Sequence, residues 1–132
     1  MLPLFDRNGD LVGWIDGGRH IYDENLDWRA YVIDGHAWSS NTGNWLGPVV
    51  DETCLDKNGH PVTWTPGQSF GDLSQLQRPP RASRIPRPPR PRLPTHMTRP
   101  AAHGAPPGGW SDQLFHQWLN EPAPATKRIW RR

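Results

Sequence analysis

The sequence predicts an all-β domain of four consecutive antiparallel β-hairpins in residues 1–68, followed by a disordered Pro/Arg-rich linker and one short helix. Three observations carry that reading: an aromatic–turn–aromatic unit that returns at a fixed period, a proline-laden basic stretch beginning at Arg78, and one apolar stripe between residues 110 and 120.

The first unit runs Phe5-Asp6-Arg7-Asn8-Gly9-Asp10-Leu11-Val12-Gly13-Trp14-Ile15-Asp16-Gly17. Asn8-Gly9 suits the two positive-φ positions of a type I′ turn, and β-favouring residues flank it. Pairing outward from that turn sets Asp6 against Leu11, Phe5 against Val12 and Pro3 near Trp14, so that Phe5, Val12 and Trp14 share one face. Leu11, Gly13 and Ile15 point the other way. That second face is partly apolar too, so the hairpin needs neighbours rather than open water.

The copies are regular. Phe5, Tyr22, Trp38 and Leu55 recur at spacings of 17, 16 and 17 residues, and Trp14, Tyr31, Pro48 and Trp64 at 17, 17 and 16. Each member of the second series follows its turn residue (Gly9, Leu26, Gly43, Gly59) by five positions, with Val12, Arg29, Leu46 and Val62 at position three. Asp16-Gly17, Asp34-Gly35, Asp51-Glu52 and Pro66-Gly67 close the units. The second copy, with Asn25-Leu26 at its tip, predicts a looser connection.

Four such hairpins in a row resemble the bacterial fourfold β-flower domain, and the resemblance covers residues 1–68. It implies four hairpin petals about a pseudo-fourfold axis, and no particular activity. Gly13-Trp14 is also reminiscent of choline-binding-type cell-wall repeats, without their tandem Tyr-Tyr, and short aromatic-glycine units occur in membrane-occupation-and-recognition repeats. On the β-flower layout Phe5, Tyr22, Trp38 and Leu55 are expected to face the axis, and the core is expected on these four with Trp14, Tyr31 and Trp64.

Composition agrees with a small, aromatic-dependent core. A domain of about 70 residues buries only about 60% of its extended surface, which fits the presence of five tryptophans before residue 65. Cys54 is the single cysteine, so no internal disulfide can form. No signal-peptide pattern opens the chain and no apolar run reaches membrane-span length, which together predict a cytoplasmic protein. Charge is split: residues 1–76 hold eleven carboxylates against four bases, a formal −7, and residues 77–132 hold eleven bases against Asp112 and Glu121, a formal +9.

The second half is divided into a linker (69–109), a helix (110–120) and a basic tail (121–132). From Arg78 to Pro94 there is no acid and no apolar periodicity, and proline removes amide donors, so the segment samples extended polyproline II. A plain spacer is the simplest reading. Its arginines also offer a charge-only contact to nucleic acid, and its PxxP spacings a contact to a proline-recognising domain. In the helix, Leu114, Phe115, Trp118 and Leu119 fall on one face, with Ser111 as N-cap, Trp110 and Phe115 as a hydrophobic staple and Pro122 as the stop. These four are the candidate docking residues for a protein partner or for the β domain itself.

The chain carries few residues in a pattern that chemistry needs. Asp6, Asn8 and Asp10 have calcium-loop spacing, but Leu11 and Gly17 stand where glycine and glutamate are needed. Cys54 has no nucleophile motif beside it, the histidines His20, His36 and His60 are unevenly placed in the repeat, and no phosphate loop or paired-carboxylate motif occurs. The expectation is a non-catalytic binding or interaction module with no cofactor and no metal. The alternatives are a carbohydrate or cell-wall binding repeat whose aromatics stack on sugars, and an enzyme or toxin fragment.

Overall fold

The computed structural model describes residues 1–66, 85–89, 91, 106 and 109–120. Seven strands follow one another as an antiparallel meander: β1 (Leu2–Phe5), β2 (Leu11–Asp16), β3 (His20–Asp23), β4 (Trp28–Ile33), β5 (His36–Ser39), β6 (Trp45–Val50) and β7 (Thr53–Cys54). The return limb of the fourth hairpin joins through two isolated bridges, Leu55 to Pro61 and Phe5 to Trp64. The second of these closes the ring of petals. Phe5 and Trp64 exchange both backbone hydrogen bonds at 2.9 Å, so the sheet has its last hairpin seated against its first.

The petal tips differ from the expected type I′ turn. Asp6 N–H donates to the Asp10 carbonyl and Gly9 N–H to the Asp6 carbonyl, and among the tip residues only Gly9 has positive φ (81°). This is a type I turn followed by one left-handed residue. The cause is Asp6: its Oδ1 accepts from the N–H groups of Asn8 and Asp10, which holds the intervening residues right-handed. Asp23 and Asp56 do the same, each through Oδ1 to the amides two and four residues on. In the third petal Ser39 Oγ takes over, and the loop is one residue longer, Ser39 N–H reaching Asn44. The second tip is therefore no looser than the others, although Leu26 occupies the left-handed position at φ 65°. True type I′ chemistry sits between petals: both central residues of Asp34-Gly35 and of Asp51-Glu52 have positive φ.

A second deviation changes which residues face inward. Pro3 pairs with Trp14 as expected, but Phe5 pairs with Leu11 and not with Val12, because Val12 is an extra residue in β2. The same slip recurs at Arg29 and at Leu46, and Val62 takes that place in the fourth petal. The position three past each turn is thus a β-bulge, and it turns the bulged side chain to the opposite face. Val12, Leu46 and Val62 consequently pack with the central cluster.

That cluster draws Leu4, Ile15, Ile21, Ala30, Ala37, Leu46, Cys54 and Val62 from all four petals. It is therefore the axis of the flower. The series expected there lies one residue further along each first strand, on the other face. Phe5 packs on Trp64, Tyr22 is opposite Trp14, Trp38 is opposite Tyr31, and Leu55 donates its N–H to Pro48. The two sequence series meet pairwise at the four seams between petals. All are buried, as a core requires.

Helix α1 (Phe115–Leu119) seals the axis, with Phe115, Trp118 and Leu119 buried in the central cluster. Trp118 Nε1–H donates to the Leu55 carbonyl at 2.9 Å, a buried bond. Room for the helix comes from Gly13, where a Cβ would strike the Tyr22 carbonyl and the Phe115 ring. The helix is shorter than the predicted 110–120, and Leu114, not Ser111, is its N-cap. Ser111 is held elsewhere: its hydroxyl donates to Asp56 Oδ2 at 2.6 Å and its N–H to the Pro61 carbonyl. Trp110 leans on the Phe5–Trp64 seam, and with Leu114 as N-cap it does not hold the position before the cap from which a staple is made. The expected linker, apart from Ile85–Pro89, Pro91, Pro106 and Gly109, and the whole basic tail lie outside the described residues.

Candidate functional site

The petals are not equivalent at the bulge. Three carry an aliphatic residue that enters the core, whereas the second carries Arg29, which cannot be buried unpaired. Its guanidinium stays at the rim, donating through Nη1 to Asp23 Oδ2 at 3.1 Å and through Nη2 to Asn120 Oδ1 at 2.8 Å. Arg29 so ties the C-terminal end of α1 to the second tip. Asn120 Nδ2 also donates to the His116 carbonyl, which fixes the orientation of its amide.

Between this bridge and the first tip lies a cleft of about 330 Å³. Its floor is apolar, built from Val12, Phe115 and Leu119, and its rim carries Asp6, Asp23, Glu24 and Arg29. With Asp23 and Arg29 paired, Asp6 and Glu24 leave the rim net negative. Leu114 stands at the edge, 41% exposed, the one large hydrophobic side chain so exposed among the described residues. The chemistry available is that of binding: an apolar seat with a cation-attracting edge.

A second, more polar hollow of about 510 Å³ lies by the fourth tip, lined by Asp56, Lys57, Asn58, His60 and Trp110. Asp56 is already committed there, to two tip amides and to Ser111.

The remaining titratable candidates are dispersed. Burial pushes the Cys54 thiol up to about 12, offset only in part by Thr63 beside it, and Cys54 belongs to the central cluster. His20 is held below the ordinary imidazole value by burial and then by Arg19, against the pull of Asp16. His36 is lowered by burial, against Asp34. Among the described residues no group of three or more histidine, cysteine or acidic side chains is placed to hold a metal ion. Nor is any helix there long and apolar enough to cross a membrane.

Of the residues singled out from sequence, Phe5, Trp14, Tyr22, Tyr31, Trp38, Leu55 and Trp64 are brought together in pairs at the seams, away from the cleft. Phe115 and Leu119 serve the core and the cleft floor at once, Trp118 serves the core alone, and Leu114 is the one docking candidate left open to solvent. Arg29, Asp23 and Asn120 were missed. The signal for Arg29 was present, since it is the charged exception in a column of aliphatic residues.

Four bulged hairpins, closed edge to edge and sealed by a short helix, define a β-flower domain with a ligand-sized cleft at one side of the seal. The family model described as 4-fold beta flower protein matches residues 2–119, and the chain belongs to that family. The match takes in α1 as well as the petals. No curated protein and no solved structure matches the chain.

Proposed function

We propose that this protein is a cytoplasmic, non-catalytic binding module that takes a basic, apolar-anchored peptide segment of a protein partner in the cleft beside α1. The observation that carries the reading is the pairing of an apolar floor with an acidic rim at the exposed Leu114. A peptide alternating lysine and leucine satisfies both: leucine covers Phe115, Leu119 and Leu114, and lysine meets Asp6 and Glu24. The dispersion of Cys54, His20 and His36 over the core and the petals supports a binding role over a catalytic one.

The carbohydrate reading needs broad aromatic faces open to water. Trp14, Trp38, Trp64 and Trp118 are buried, which favours the peptide reading. The test is an NMR titration of the full chain with an alternating lysine–leucine peptide. Shifts concentrated at Leu114, Val12 and Glu24, abolished by Leu114→Asp and weakened by salt, are expected. Shifts spread evenly over the acidic petals, insensitive to Leu114→Asp, would reduce the cleft to a non-specific charged surface.

A further inference from the structure

Leu26 breaks the rule of its own repeat. The left-handed position at the other three tips is Gly9, Gly43 or Gly59, yet here a leucine is held at φ 65°, a conformation in which a Cβ crowds the following carbonyl. Strain of this kind persists where the side chain has a use. Leu26 is 8% exposed and packs with Trp14 and Tyr22, joined by Met1, Leu11 and Trp28. The result is an aromatic shelf on the seam side of the second tip.

A segment of the chain already lies there. Arg87 and Pro88 line a small cavity with Tyr22, Leu26 and Trp28, and Ile85–Pro89 has neither helix nor strand structure. Its chemistry matches the shelf in two respects. Of Ile85, Pro86, Arg87, Pro88 and Pro89, only Ile85 and Arg87 keep an amide N–H, so the segment presents carbonyl acceptors and flat pyrrolidine rings. The shelf presents the aromatic rings of Tyr22 and Trp28, against which such flat rings lie. Around it the tip carries Asp23, Glu24 and Asp27, while Arg84, Arg87 and Arg90 punctuate the segment.

We infer that the Tyr22–Leu26–Trp28 shelf is a recognition site for extended proline/arginine sequence, and that residues 85–89 of this chain are its resident ligand. Those residues are then a latch on the acidic half. A proline-rich segment lies on such a shelf at low entropic cost, because its backbone is already extended. This goes beyond the cleft reading: the shelf draws on Tyr22, Leu26 and Trp28, none of which lines the cleft.

The test uses the full-length ¹⁵N-labelled chain and the Trp28 indole N–H resonance, assigned by its loss in Trp28→Phe. Replacing Pro86, Pro88 and Pro89 together by alanine should shift that resonance while leaving the core signals in place. Adding a peptide with the sequence of residues 84–94 should then return it, with at least tenfold lower half-saturation than in the wild-type chain, where the latch competes. Adding Leu26→Gly to this variant, which restores the residue type of the other three tips and so preserves the turn, should abolish the return. An unmoved Trp28 resonance on proline replacement would overturn the proposal. So would unchanged peptide binding by the Leu26→Gly chain, or equal binding of a peptide with alanine at every proline.

Discussion

The axis and the seams of this flower are built from neighbouring residues with opposite habits. Along the axis run Leu4, Ile21, Ala37 and Cys54, a tapering set that leaves room for α1. One residue later, at the seams, run Phe5, Tyr22, Trp38 and Leu55, each facing a large partner or a proline on the preceding petal of the ring. Four large side chains cannot converge on one axis at packing density, whereas pairs of them fill the widening gaps between petals. The contrast teaches that strength of repetition marks the seams, where every petal meets the same neighbour. The axis is irregular because it must fit a helix without fourfold symmetry.

The comparison can be broken from the axis side first. Trp118→Ala removes the largest side chain of the seal and the hydrogen bond to Leu55, and should cost about 3–5 kcal/mol in urea unfolding. Trp14→Ala and Trp64→Ala should each cost a similar amount at the seams, about 3–5 kcal/mol, so a much smaller effect at either would mean that the seams are ornament on an axial core. A finer contrast lies between two tips. The Asp56 carboxylate serves its own turn and also Ser111, whereas the Asp6 carboxylate serves only its turn among the bonds described. Asp56→Ala should therefore destabilise by about 2–3 kcal/mol and Asp6→Ala by about 1, read from the same denaturation curves.

The smallest predicted effect is one of pH. His20 and His36 titrate below the ordinary imidazole value in the fold, so the unfolded chain binds protons more readily than the folded one. Their contribution is fully present above the unfolded value of about 6.5 and is lost as pH falls from there toward the lowered folded values. Unfolding midpoints should drop between pH 7 and pH 5, and His20→Gln with His36→Gln should flatten that drop.

Much of this architecture was legible in the residues. The period, the petal number, the buried aromatic set and the apolar stripe of α1 all came from spacing, and spacing survives folding. What was misread turned on single residues. The bulges at Val12, Arg29, Leu46 and Val62 insert one residue into a period-two pattern, and that takes these side chains off the face that Phe5 and Trp14 share. The tips were misassigned because Asn-Gly suits two turn types, and the choice falls to Asp6, Asp23 and Asp56, whose carboxylates accept the tip amides. Ser111 has the chemistry of an N-cap but lies against Asp56, a contact 55 residues away that no local pattern encodes. The cleft was invisible for the same reason: it exists only where α1 meets the first two tips.

Helix α1 belongs to the core of the flower and is not a tethered appendage. Native-state hydrogen exchange of the Trp118 indole N–H tests this, since its bond to the Leu55 carbonyl is buried. Exchange is expected only through global unfolding, with the same denaturant dependence as the Ile21 amide on the axis. Fast exchange independent of denaturant, alongside a protected Ile21, would show that the petals hold without the helix and would contradict its place in the core.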